Sequence, residues 1–594
     1  MGHDQQFAGM GAMVHEGGVA FRVWAPHATS VSVMGTFNQW HNDHDVLAND
    51  GNGYFYGDVP GAAVGDEYKF HIVNGDRQLD KVDPYAAKVT NSIGNGVIYD
   101  HAGFDWQGDG FQCPRHNELV IYELHVGSFN TTQGQVGTFD SVLERLDHLT
   151  AMGINAIQLM PVMEFAGDWS WGYNPAHVFA VESVYGGPDK LKEFIRTCHQ
   201  HGLAVLVDVV YNHFGPSDLD LWQFDGWSEN DKGGIYFYND WRSQTPWGDA
   251  RPDYGRGEVR QFIHDNAMMW LRDYHADGLR YDMTAYIRAK DAGSNDIPEG
   301  FSLMAWINND VREQYPDAVL IAEDMQGNPD MVGAGEGQAA FHAQWDAQFV
   351  HPVRNMLAAY DDDSRSLADV RGAIEHNYDG DPFSRVVYTE SHDEVANGKQ
   401  RAVNDVNPVD QQGWYAAKRA TLGTMIALTS PGIPMLFQGQ EFLQGGYFSD
   451  QMPLDWNLND THQGIVRLHR DVAQLRRNWN NDTRGLTGTG LQVFHANQDM
   501  SVMAWHRWYE HGVGDDVVVV ANLSGEARGG YRIGLPAGGH WELKFNSDST
   551  DYSPNFGSMA TYDLTTTEDD QDGFAFSGTV DLAPYTVLIY SWKG

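Results

Sequence analysis

Long hydrophobic runs are missing from this sequence, cysteine is nearly so, and acidic side chains outnumber basic ones by more than two to one. No segment reaches the roughly 18 apolar residues that a membrane-spanning helix needs. Nor does Met1–Gly18 hold an apolar stretch of the kind that directs secretion. A soluble, cytoplasmic protein is therefore expected. Cys113 and Cys198 are the only cysteines, and they lie far apart without metal-ligand spacing, which excludes a disulfide framework and a cysteine metal site. With 38 Lys and Arg against 81 Asp and Glu, the formal net charge is −43. Such a field opposes nucleic acids and anionic membranes, which need basic patches, and suits a neutral partner. No glycine-rich nucleotide loop occurs where a cofactor would need one, so none is expected; the oligomeric state is not legible.

What is present is enough chain for several cores: 594 residues predict two to four domains. From about Val19 to Asp100, short runs such as VAFRVWAP and DEYKFHIVNG alternate apolar with polar residues between Gly, Asn and Asp. That pattern predicts a small β-sandwich, assigned to residues 1–105. Trp24 reads as core; Trp40 suits either core or a sugar platform. A Gly-, Asp- and Pro-containing linker, 104–117, follows. Over 118–477 eight apolar runs recur with helical stretches between them: LVIYELHV (119–126), AIQLMPV (156–162), AVLVDVVYN (204–212), GLRYDMT (278–284), AVLIAED (318–324), FHAQWD (341–346), RVVYTESHD (385–393) and IPMLFQGQE (433–441). This is the pattern of a (β/α)8 barrel, whose chemistry sits where strands end, and these runs turn polar at their C-terminal ends. A long aromatic-rich loop, about 213–257, is expected to build the cleft. Residues 478–594 return to short β runs and predict a C-terminal all-β domain, with Thr565–Asp572 as a solvated acidic loop.

The fourth run carries the centre of the argument. Arg280 and Asp282 stand two apart, so on a strand their side chains share a face. A guanidinium there keeps a carboxylate ionised, as a carboxylate nucleophile requires; an ordinary structural ion pair is the bland alternative. Asp208, Asp282, Glu323 and Asp393 converge from the ends of strands three, four, five and seven, accompanied by Asn212, His213 and His392. Converging acids suit either a hard cation or glycosyl transfer by a nucleophile and an acid. The guanidinium of Arg280 opposes the cation, which leaves glycosyl transfer, and no metal is assigned.

DVVYNH (208–213), GLRYD (278–282), AED (322–324) and SHD (391–393) resemble, in order and placement, the four signature segments of the α-amylase clan. "FRVWAP … GTFNQW … YKFHI … KVDPYA" resembles the carbohydrate-binding module that precedes the barrel in glycogen branching enzymes and their debranching relatives. The resemblance implies a retaining mechanism with Asp282 as nucleophile, Glu323 as general acid/base and Asp393 stabilising the transition state. It implies that Arg280 holds Asp282 ionised, that His213 and His392 bond sugar hydroxyls, that Tyr173 in WGYNP stacks on the same sugar, and that Asp208 supports the site. The proton on Glu323 is expected to come from the like charges of Asp282 and Asp393. In many amylases the position of Asn212 is a calcium ligand, but companion ligands are not identifiable. TESHDE (389–394), LFQGQEF (436–442), PLDW (453–456) and IAEDM are most similar to 1,4-α-glucan branching enzymes, implying an α-glucan substrate (glycogen, amylose or maltooligosaccharides). DVVYNHFGP instead looks like trehalose-releasing hydrolases and debranching enzymes, Glu394 replaces the usual Gln, and Met283 stands where branching enzymes commonly carry a small residue. An α-1,4-glucan hydrolase is thus the alternative, and a glucan-binding protein without turnover a third.

Overall fold

The computed structural model describes residues 7–594, so the first six residues of the stretch read as lacking a leader lie outside it. Eight strands close into a parallel barrel: β1 (Ile121–Leu124), β2 (Ala156–Leu159), β3 (Ala204–Val209), β4 (Gly278–Tyr281), β5 (Val319–Ala322), β6 (Ala343–Trp345), β7 (Arg385–Val387) and β8 (Ile433–Phe437). Each lies within one of the eight runs picked out in the sequence. Every residue of these strands is buried, as the near-continuous apolar runs require of a sheet covered on both faces. Helices such as Gly187–Gln200, Gly257–Arg272 and Trp414–Thr429 pack around them.

One glycine is dictated by strand pairing. Gly278 opens β4, and a Cβ there would lie 2.1 Å from the Val319 carbonyl oxygen of β5. Only a residue without a side chain lets the two backbones meet.

Before the barrel, an eight-stranded antiparallel sheet spans Gly11 to Val97. Trp24 is 5% exposed and meets Tyr236 edge-on at 5.6 Å, so it is core, as read; Trp40 is 36% exposed. After the barrel come a six-stranded and a three-stranded sheet. The acidic tract is not a loop: Thr567–Gln571 is an edge strand paired with Phe574–Leu582. Its backbone is tied to a neighbour while its acidic side chains stay in water, a common way to keep an edge from pairing further.

The insertion after β3 also departs from expectation. Several of its aromatic residues, Phe224 and Tyr236 to Tyr238 among them, are buried, and Tyr236 packs edge-on against Trp24 of the N-terminal module. There Asp225 accepts hydrogen bonds from the His27 backbone and ring, and Asp220 from the Val82 backbone. Among the described residues no helix is long and apolar enough to cross a membrane.

Gly278→Ala is expected to lower stability by about 1–3 kcal/mol, the range of overpacked interior sites. A denaturant midpoint equal to that of the parent would contradict the close approach.

Candidate active site

The C-terminal ends of the barrel strands deliver the expected acids to one place. Asp208 lies within β3, Asp282 directly follows β4, and Glu323 directly follows β5. Asp393 is six residues past the end of β7, on the loop beyond it.

Arg280 is the hub. Fully buried on β4, it places Nη1 2.6 Å from Asp208 Oδ2 and 3.0 Å from Asp282 Oδ1, and Nη2 2.7 Å from Glu323 Oε2. Its guanidinium lies 4.3 Å from the centre of the Trp345 ring at the end of β6, so its buried charge is met by an aromatic face as well as by acids. Asp282 has donors on both oxygens, because the Asn212 side-chain amide donates to Oδ2 at 2.8 Å. The Asn212 carbonyl oxygen in turn accepts from His213 Nδ1 at 2.7 Å, which sets the tautomer of that ring. Asn212, noted in the sequence only as a possible cation ligand, thus links His213 to Asp282.

Glu323 is gripped on one oxygen only. Oε2 receives the Met283 N–H at 3.0 Å besides the Arg280 contact, while Oε1 has no partner among the described residues. Met283 reaches that oxygen with φ +37°, an uncommon conformation for a residue with a side chain and a form of strain typical of functional sites. Burial, joined by the charges of Asp282 and Asp393 and opposed by Arg280, pushes the Glu323 carboxyl up to about 8. Like charge is therefore the smaller cause, and desolvation the larger. Asp324 turns away into a two-point pair with Arg288 at 2.8 and 2.9 Å.

On the opposite side, Tyr173 lies parallel to His392, 4.9 Å between ring centres, and donates its hydroxyl to Asp208 at 2.7 Å. His392 is held by Glu123 of β1, which accepts from Nδ1 at 2.7 Å and from its backbone N–H at 2.9 Å. Glu123 was not singled out in the sequence, because within VIYELHV it reads as one residue of a strand; the polar residue among apolar neighbours was the available signal. Burial lowers the His392 pKa, but Glu123 outweighs it and the net shift is upward. His213, 1% exposed, is pushed down to about 4 by burial and stays neutral, and its ring stacks on Trp247 at 4.6 Å. Trp247, 40% exposed, is where the insertion does reach the cleft.

Asp393 is the least constrained acid. Its side chain is 44% exposed, bonded by the Asn397 amide at 3.0 Å, with Lys399 Nζ 3.8 Å away. The adjacent Glu394 is buried; burial would raise its pKa, yet His351 and Lys399 at 3.3 and 3.1 Å hold it down to about 2. The charge that departs from the usual Gln is thus paired beside the cleft.

A closed parallel barrel with an acid cluster at the C-terminal ends of its strands has the form of a barrel-enzyme active site. Residues 123–245 and 216–500 match the α-amylase catalytic domain, residues 9–86 carbohydrate-binding module 48 (the isoamylase N-terminal domain), and residues 494–593 the α-amylase C-terminal all-beta domain. The chain belongs to the α-amylase family and is an enzyme of that family. It is 30% identical to the 1,4-α-glucan branching enzyme of Pseudoalteromonas atlantica, over 97% of this chain and 81% of that one, and 29% identical to the branching enzyme of Salinibacter ruber, over 99% and 97%. The fold matches a putative α-amylase from Salmonella typhimurium with TM-score 0.75 at 21% identity, over 98% of this chain and 99% of that one.

Glu123→Gln removes the group that raises the His392 pKa and leaves burial, which lowers it. The His392 titration midpoint, read by NMR of labelled histidine, is expected to fall from above 6.5 to below it. An unchanged midpoint would show that Glu123 does not set its charge.

Proposed function

We propose that this chain is a 1,4-α-glucan branching enzyme acting by a retaining double displacement. Asp282 attacks the anomeric carbon, the bond from that carbon to the glucan O4 breaks, and Glu323 gives its proton to the departing oxygen. In the second step the Glu323 carboxylate takes the proton of a glucan 6-hydroxyl, whose oxygen displaces Asp282 and forms an α-1,6 branch. Asp393 stabilises the developing positive charge and grips hydroxyls, His213 and His392 bond hydroxyls of the sugar before the cleaved bond, and Tyr173 stacks on it. Arg280 keeps Asp282 ionised and Asp208 supports Arg280. The proposal includes a cytoplasmic location.

The observation that carries the mechanism is the unequal treatment of two neighbouring acids on one guanidinium. Asp282 receives donors on both oxygens, as a carboxylate kept ionised needs. Glu323 takes the Met283 N–H and the Arg280 ion pair on Oε2 and has no partner on Oε1 among the described residues, which leaves Oε1 for the proton it delivers. Sharing one guanidinium keeps the pair close, in keeping with the separation of about 5–5.5 Å that retaining enzymes use. Support for transfer over hydrolysis comes from the relatives, which carry the branching-enzyme name over nearly the whole chain. The hydrolase reading keeps one specific support, the segment DVVYNHFGP.

Incubation with amylose separates the two readings. Branching yields many short chains after α-1,6-specific debranching, with few new reducing ends; a steady rise of reducing ends that debranching does not add to makes water the acceptor. Glu323→Gln is expected to keep glucan binding while turnover falls by about 10²-fold or more, the scale of general acid catalysis. An unchanged rate would remove Glu323 from its role. Because the acid form of Glu323 is the working one, kcat/KM should decline as pH rises through about 8. A rate flat to pH 10 would contradict this.

A further inference from the structure

Away from the cleft, the barrel and the C-terminal domain meet over an open groove of about 1010 Å3. Its walls come from the loop 360–364 after the helix Ala347–Ala358, the loop 406–408, the start of the helix Trp414–Thr429, and the turns at Gly525 and Tyr585. The floor is firmly built. Asp362 accepts from the Gly525 N–H at 2.7 Å and the Tyr585 hydroxyl at 3.0 Å, and pairs with Arg365, whose guanidinium lies 5.1 Å from the Tyr585 ring.

Above this floor stand two exposed rings: Tyr360 is 92% exposed, and Tyr415, 56% exposed, is braced by Trp414 at 4.9 Å and Tyr585 at 6.4 Å between ring centres. The carboxylates of Asp361 and Asp363 have no hydrogen-bond or ion-pair partner among the described residues. Arg419 lines the groove at 5% exposure and donates to the carbonyls of Leu357 and Ala359, but its Nε has no partner among the described residues.

The chemistry left open is that of a polyol with apolar ring faces. Aromatic faces receive the C–H side of a pyranose, and carboxylates accept its hydroxyls. An anionic ligand meets Asp361, Asp363 and Glu526. A protein partner would need a desolvated apolar centre, which these acid-flanked rings do not offer. We propose that this groove is a second α-glucan-binding site, with Tyr360 and Tyr415 as sugar platforms and Asp361 and Asp363 as hydroxyl acceptors. It holds a polymer chain away from the cleft and so raises the local concentration of other segments of the same polymer at the acid cluster. The ligand class rests on the α-glucan reading given under Proposed function.

The test uses the full chain carrying Glu323→Gln, so that glucan is not consumed, in native gels containing glycogen. Adding Tyr360→Ala and Tyr415→Ala is expected to weaken the apparent Kd by about tenfold, the scale of losing two ring contacts. Tyr360→Phe with Tyr415→Phe, which keep both rings, should stay near the parent. Maltoheptaose should slow hydrogen exchange in 360–364 of the parent. In the otherwise unsubstituted chain, the two alanines should leave turnover of a short maltooligosaccharide unchanged. Retardation equal to the parent in the alanine variant overturns the proposal. If the unsubstituted chain fails to process amylose while retardation still depends on the two tyrosines, the catalytic reading falls and the groove stands. If amylose is processed and retardation ignores the tyrosines, only the groove falls.

Discussion

One buried guanidinium faces three carboxylates, and the rest of the site follows from that imbalance. Arg280 has no exposed surface and touches Asp208, Asp282 and Glu323. Burying a charge is costly unless it is paired, so the guanidinium requires acids around it. Three acids exceed what one cation neutralises, and burial, more than like charge, shifts the excess toward the protonated form. Burial raises Glu323 to about 8 and Asp208 to about 7, with Arg280 opposing both. Asp208 takes Arg280 and the Tyr173 hydroxyl on Oδ2 and is 0% exposed, whereas Glu323 is 4% exposed and, among the described residues, has no partner on Oε1. A proton on Glu323 is therefore both favoured and accessible.

The barrel makes this arrangement rigid. Asp208 and Arg280 are paired in register across β3 and β4, Trp345 comes from β6 to lie against Arg280, and Glu123 of β1 reaches His392 beyond β7. No one strand makes the site. Neighbours in the closed sheet place each partner, which is why the chemistry collects at one rim. The insertion after β3 is braced by the N-terminal module and offers Trp247 next to His213. The N-terminal module thus contributes to the shape of the cleft through the insertion that it holds.

The barrel was legible because a parallel strand buried on both faces must be apolar throughout, and runs such as AVLVDVVYN leave little choice. Asp282 and Glu323 were legible as acids that end such runs. Less of the second layer could be read. Glu123 and Asn212 act through contacts to residues distant in sequence or through an amide whose two ends face different partners. The dominance of burial over like charge at Glu323 depends on how deeply the rim is enclosed, which residue order does not encode. The same holds for the insertion, whose aromatic residues look alike whether they line a cleft or pack against another domain, and for the acidic edge strand, whose side chains give the pattern of a loop while its backbone is paired.

The most direct test is to trap the covalent intermediate. The Glu323→Gln variant is supplied with an α-maltooligosyl fluoride, whose leaving group needs no protonation, in the absence of a glucan acceptor, and is then digested and analysed by mass spectrometry. The account predicts a glucan adduct on the peptide containing Gly278–Thr284, located at Asp282 and lost in Asp282→Asn. An adduct on another acid, or fluoride release that persists in Asp282→Asn, would contradict it.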